Sequence, residues 1–273
     1  MTDWTPLNRQ RHQTMRWRPR RDYLHSSGQS LVPVLLRELG QLMSAYTLAF
    51  SEQGGEFATV AILGLGQAEH FYMGPNGQWL ADYVPATLRA YPFQLLGAGE
   101  NKHALCIDST QLNEDEAMPA IFAGDGTMAE PVQEMLTFLQ HCEQQRIATA
   151  RACAALAKQA LIEPWPVTLA NDETVESVGK KTVQGLYRIN ESALNALNGD
   201  VLAELRKSGA LALAYAQLLS TPQLQQLPKR AQWQAKLQAH AAQVKGATAQ
   251  SAGDSGLTEL FSESDGSLNF DDL

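Results

Sequence analysis

Cysteine is scarce in this 273-residue chain: there are three, Cys106, Cys142 and Cys153. Their spacing matches neither a disulfide framework nor a Cys-x-x-Cys metal site, which suits a reducing compartment and makes the cytoplasm the expected location. Basic residues are outnumbered, with 21 Lys and Arg against 29 Asp and Glu and a net charge of −8. General nucleic-acid binding needs a surplus of cations on one face, so that class is not expected. No apolar run approaches the roughly 18 residues of a spanning helix, so no membrane span is expected either. Also missing are His-Glu-x-x-His, paired Cys-x-x-Cys and Gly-x-Ser-x-Gly, which removes local support for a zinc site or a hydrolase elbow. Neither a metal nor a cofactor is expected.

Three patterns come close and fail. Gly64 and Gly66 in "ILGLGQAEH" lack the third glycine of a dinucleotide loop and the helix that should follow it. His141 and Glu143 in "HCE" match the start of an iron-binding triad, but residues two apart on a helix cannot face one metal. "RRDYLH", Arg20 to His25, resembles a twin-arginine export pattern. Export also needs an apolar stretch, and Leu31 to Leu36 is short, broken by Pro33 and closed by Arg37 and Glu38.

Hydrophobic residues at 44% and charged residues at 18% are ordinary values for a folded chain. The composition divides it into a basic arm at 1–30, an α+β domain at 31–245 with a sub-boundary near 127, and a linker with an acidic tail at 246–273. The arm carries Arg9, Arg11, Arg16, Arg18, Arg20 and Arg21. Trp4, Leu7, Met15 and Trp17 interleave with them and can tack the arm onto the body. From Asp254 onward there are six acids and no base, with Leu257, Leu260 and Phe261 on one helical face. That segment reads as a docking element for this chain or for a protein partner, or as a solvated tail.

Between the ends, Pro33 opens an expected helix with Leu35, Leu39, Leu42, Met43 and Tyr46 along one stripe. Gly54-Gly55 breaks the chain before a buried strand at Phe57 to Leu65, and Gly74 to Gly77 turns an aromatic hairpin. A strand at His103 to Asp108 is expected in the same sheet. A long helix follows from Pro131 to about Ile162, then two strands in "PVTLAN" and "TVQGLYRIN", then a helix capped by Asn190 or Ser192. Ala210 to Ser220 is apolar nearly all round and reads as a buried helix. A Gln-rich polar helix spans Pro228 to Val244. The fold class is α+β, with a β-rich N-terminal half, a helical C-terminal half and a flexible acidic tail.

The densest chemistry lies in "NGQWLADYVPATLRAYPF", Asn76 to Phe93. Asp82 is placed to cap a short helix, Pro85 fits its first turn, Pro92 ends it, and Val84, Leu88 and Tyr91 share its buried face. That leaves Arg89, with Trp79, Tyr83 and Tyr91 near it, as a ligand-binding set suited to a carboxylate or a planar group. Pairing with Asp82 or with carbonyls at the helix end is the alternative. Acid–base candidates are Asp108, Asp125, His12 and Tyr187, although both aspartates also fit turns.

The same residues carry a family resemblance. Gly77, Trp79, Tyr83, Val84, Pro85, Ala86, Arg89, Tyr91, Pro92 and Phe93 match a signature of SapC-like proteins. "PLNRQRH", "VAILGL", "CID", "IFAGDG", "GLYRIN" and "AYAQLLS" extend the likeness over nearly the whole chain. One departure is Thr47, where the family usually has proline. The resemblance implies a soluble bacterial protein of unassigned chemistry, often encoded beside outer-membrane receptors and halogenase-like or cupin-like oxygenases. It implies an accessory or ligand-binding role next to a peptide- or aromatic-modifying or uptake system, with a small molecule or peptide as ligand. An enzyme with a non-local acid–base site and an interaction module working through 254–273 are the alternatives. A peptide permease that shares the name spans membranes and is a different protein.

Overall fold

A computed structural model describes residues 3–66, 69–99, 102–168 and 182–251. In chain order, β1 (Trp4–Pro6), α1 (Arg9–His12), β2 (Arg16–Trp17) and β3 (Leu31–Pro33) lead to a short α2 (Leu39–Leu42). Next come β4 (Thr47–Gln53), β5 (Glu56–Ile62), α3 (Ala86–Arg89), β6 (Phe93–Gly97), β7 (His103–Asp108) and β8 (Leu112–Asn113). The long α4 (Glu130–Lys158) is followed by β9 (Ile162–Pro164), β10 (Val167–Thr168), β11 (Thr182–Val183) and β12 (Leu186–Ile189). The chain then becomes helical, with α5 (Glu191–Asn195), α6 (Gly199–Lys207), α7 (Ala210–Ser220) and α8 (Gln226–Ser251). The architecture is α+β, with a β-rich first half and a helical second half.

Two sheets organise the body. The larger has the order β3-β5-β4-β12-β9, and the smaller is β1-β7-β6, antiparallel throughout. Gly54 and Gly55 both have positive φ, which lets a two-residue turn join β4 and β5 with Gln53 opposite Glu56. Leu48, Ala49, Phe50, Ala61 and Ile62 are fully buried in consecutive positions, so this hairpin is covered on both faces. The 29-residue α4 ties the sheets together. Val132 and Leu139 near its start pack in the core of the smaller sheet, while Ala152, Cys153 and Leu156 belong to the larger core.

The expected helix from Pro33 does not form. Pro33 ends β3, the Val34 N–H donates to Thr59 O, and only a turn of 3-10 helix and α2 follow before Thr47 enters β4. Sheet pairing of the apolar run from Thr47 to Phe50 overrides the helical spacing. The strand at His103 to Asp108 is present but lies in the smaller sheet, between β1 and β6, rather than beside β5. The Gly74–Gly77 turn closes with Gly77 N–H on Gly74 O, and the expected hairpin is short: the Gly74 N–H donates to Gln78 O, Met73 bridges Trp79, and the Leu80 N–H donates to Tyr72 O.

α7 is buried on one face and leaves Tyr215 and Leu219 exposed. α8 continues through Ser251, into residues whose composition suggests a linker. Trp17 is buried among Phe93, Ile107 and Ile121, with Leu7 and Met15 packed beside it, so the basic first residues lie on the smaller sheet. The expected acidic tail, 254–273, lies outside the described residues.

Candidate functional site

Where the two sheets approach each other across α4, a cleft of about 630 Å³ opens. One wall is a stripe of α4: Leu139, Cys142, Glu143, Arg146, Thr149 and Cys153, positions that recur at helical spacing and share a face. Glu56 to Thr59 of β5 form a second wall, and Phe93 to Leu95 of β6 a third. In both strands consecutive residues line the cleft although their side chains alternate in direction, so the cavity meets β6 at its free edge and β5 where it runs past its short pairing with β3. α3 and the residues after it complete the enclosure with Ala86, Leu88 and Tyr91.

The lining is mainly apolar, with polar groups at definite points. Arg146 grips Glu143 through Nε and Nη2, both at 2.7 Å, and His103 Nε2 lies 3.7 Å from the same carboxylate. The hydrogen bonds from Arg146 hold the Glu143 carboxyl below its ordinary range despite partial burial. At another point the Tyr91 hydroxyl donates to Asp108 Oδ2 at 2.7 Å. Burial and then the Asp108 carboxylate push this phenol up to about 12. The Tyr91 ring stacks on His25 at 4.1 Å and 4°. Burial, aided by Arg20, lowers His25 to about 4, so the imidazole is neutral at pH 7.

Behind the α3 wall sits Glu38, which is 4% exposed. Its Oε1 accepts the Ala86 N–H at 2.6 Å and the Tyr83 hydroxyl at 2.8 Å, while Oε2 accepts the Leu35 N–H at 3.2 Å. Glu38 therefore caps α3 from a distant part of the chain, in place of the expected Asp82. Arg89 completes the group: Nη2 donates to Tyr83 Oη at 3.0 Å and lies 3.9 Å from Glu38 Oε1. Sequence reading missed Glu38, and the only local sign was its position three residues after Leu35, where a carboxylate can reach back to a free N–H.

The expected binding set divides into two. Trp79, Tyr83 and Arg89 belong to one connected group, in which Trp79 Nε1 donates to Tyr46 Oη at 2.7 Å and Tyr46 Oη donates to Tyr83 O. Arg89 stays 39% exposed along its side chain, its Nε has no hydrogen-bond partner, and its guanidinium faces the Phe138 ring at 5.3 Å. Tyr91 stands apart on the cleft wall, bound to Asp108.

The acid–base candidates do not converge. Asp108 also accepts from the Thr110 N–H and hydroxyl, and Asp125 accepts the same two groups of Thr127, so both hold turns. His12 is buried with Nδ1 3.0 Å from the Asn8 nitrogen, and Tyr187 donates to Glu52 on the larger sheet.

Ser26 and His70 meet at 3.3 Å. The Tyr72 N–H points at His70 Nδ1, which leaves the proton on Nε2, and Ser26 already donates to Tyr23 O. The imidazole thus donates to the serine and does not activate it.

No described helix is long and apolar enough to cross a membrane. Among the described residues no group of three His, Cys, Asp or Glu side chains is placed to hold a metal ion. Comparisons with curated proteins and with solved structures each return no match. The sequence profile described as SapC matches residues 7–227, a span that contains the larger sheet, β6 and β7 of the smaller one, α4 and the cleft lining apart from Trp4, and the chain belongs to the SapC family.

Proposed function

We propose that this is a cytoplasmic accessory protein that binds a small-molecule or peptide ligand in the cleft along α4, beside a peptide- or aromatic-modifying or uptake system. The observation that carries the reading is the cleft itself: a cavity of ligand size, about 630 Å³, with apolar walls and a few fixed polar groups. Its walls are stiff because Glu38 pins α3 and Tyr91 is held by Asp108 and His25. Rigid walls limit the entropy lost on binding. Arg89, beside Phe138 of α4 and 39% exposed, lies outside the cleft lining next to Cys142's turn of α4 and supports a role in gripping an acceptor group of a ligand that extends past α3. The enzyme reading has less support, since each acid–base candidate is engaged in local structure away from the others.

The test fills the cleft. Ala150 lines it from the exposed face of α4, so Ala150→Trp obstructs the cavity while leaving the core intact. An environment-sensitive apolar dye is expected to bind the wild-type chain saturably at one site and to lose about tenfold or more in affinity with the variant. Arg89→Ala should weaken binding of a carboxylate-bearing analogue of the dye with the fold retained. Saturable binding that Ala150→Trp leaves untouched would put the site elsewhere.

A further inference from the structure

We infer that the cleft takes its ligand as an extended peptide, added as a fourth strand along the free edge of β6. This rests on the ligand-binding reading and names the ligand's class. β6 is the last strand of the sheet β1-β7-β6. The Asp108 N–H donates to Pro92 O, and Ala98 N–H to Lys102 O, so the even-numbered residues from 92 to 98 turn their backbone groups toward β7. In an antiparallel ladder the alternate residues must then turn theirs away. Phe93 uses its N–H on Ala90 O. The Phe93 carbonyl, both backbone groups of Leu95 and the Gly97 N–H are left on the open side with no hydrogen-bond partner among the described residues.

Those groups face the cleft, because Phe93, Gln94 and Leu95 line it edge-on. Strand edges that must not pair are guarded by lysine, proline, inward charge or a bulge. Phe93–Gly97, "FQLLG", has none of these. Across the cleft, Leu139 and Cys142 of α4 offer apolar contact to alternate side chains of an incoming strand. Near the Gly97 end, where His103 stands opposite Gly97 and 3.7 Å from Glu143, the cations of Lys102 and Arg146 outnumber the Glu143 carboxylate, so an acidic residue of the peptide is favoured there. Backbone pairing of this kind supplies affinity, and pockets for alternate side chains supply selectivity. A second copy of the chain is the poorer occupant, since the edge lines a cleft walled by α4 and not an open face.

The experiment uses the full chain and labelled peptides of about eight residues, alternating valine with polar residues and ending in aspartate. Each is made in two N-methylated forms that block alternate backbone N–H groups in opposite phases. Fluorescence anisotropy should show about a tenfold loss for one phase and little change for the other. Amide exchange at Leu95 should slow about tenfold or more on peptide addition, while Gln94, already paired to β7, changes little. Equal losses for both phases, or a Leu95 amide that stays unprotected, overturn the inference. So does a concentration-dependent dimer that protects the same amides without peptide. If no peptide binds but the apolar dye does, with sensitivity to Ala150→Trp, strand addition fails and the cleft reading stands; if neither binds, both fail.

Discussion

Tyr83 donates its hydroxyl proton to Glu38 Oε1 across 2.8 Å, and this contact joins two parts of the chain that no local pattern connects. The same oxygen receives the Ala86 N–H, so one carboxylate fixes both the side chain before α3 and the first turn of α3. Its other oxygen holds the Leu35 N–H after β3. The family signature from Gly77 to Phe93 is therefore a wedge whose stiffness depends on a residue outside the signature. The wedge in turn supplies a wall of the cleft.

Removing that carboxylate should be costly. Glu38→Ala leaves two buried N–H groups without acceptors, at about 1–3 kcal/mol each, and the expected loss of stability is about 3 kcal/mol in urea denaturation. Glu38→Gln keeps one acceptor oxygen and should lose less. Arg89→Ala should cost about 1 kcal/mol or less, because the guanidinium is partly exposed, its contact with Glu38 is long at 3.9 Å and the other Glu38 contacts remain. A Glu38→Ala chain as stable as wild type would remove the carboxylate from this role.

The contrast between Glu38 and Asp82 shows what was legible in the sequence. Gly54-Gly55, the apolar spacing of α4 and the Asn190 cap, whose Oδ1 accepts the Ala193 N–H, are decided by neighbours in the chain and were readable. Asp82 was the local choice of cap for α3, but a carboxylate 48 residues upstream of Ala86 occupies that N–H. The cleft was illegible for the same reason, since β5, β6 and α4 meet only after folding. Arg89, Trp79 and Tyr83 were found together because they lie in one short stretch, whereas Phe138 and Cys142 beside them do not. Sheet membership is not legible because pairing is non-local: His103 to Asp108 is plainly a strand, and nothing local chooses between β5 and β6 as its partner.

Acid should destabilise the chain before its carboxylates protonate. Burial lowers both His25 and His70 to about 4, while the unfolded chain takes up these protons near 6.5. Between those values the unfolded state binds more protons, so stability is full above about 6.5 and falls as pH drops toward 4. The slope is at most about 1.4 kcal/mol per pH unit for each imidazole, and smaller for His25, which is partly exposed. Thermal unfolding of His70→Gln measured between pH 7 and 4 should show a flatter decline than wild type; an unchanged slope would mean that His70 takes up its proton as readily in the folded chain as in the unfolded one.

Gly77 is a signature position with a physical requirement. Its φ is +73°, and a Cβ there would lie 2.8 Å from both Asp22 Cβ and Leu24 Cγ. Gly77→Ala therefore combines a left-handed backbone with a clash, and about 2 kcal/mol of stability should be lost. Gly28→Ala makes a control, since no atom lies within 4 Å of the added carbon and its φ is not left-handed. Equal midpoints for the two variants in urea would refute the close approach of the 22–24 segment to the turn.

Cys142 reports on the charges around the wedge. Burial is the main cause that raises its thiol to about 11; the Glu38 charge adds to this and Arg89 opposes it. At pH 8 about one molecule in a thousand carries the thiolate, so iodoacetamide should react slowly at this residue despite its place on the cleft wall. Glu38→Gln removes the raising charge and should speed alkylation, whereas Arg89→Ala removes the opposing one and should slow it. Mere loosening of the wall would make both variants faster, so the opposite signs separate electrostatics from access. Mass spectrometry of the Cys142 peptide, with the buried Cys153 as internal reference, reads both rates in one digest. Two variants that move in the same direction would show that the carboxylate and the guanidinium do not set this thiol's acidity.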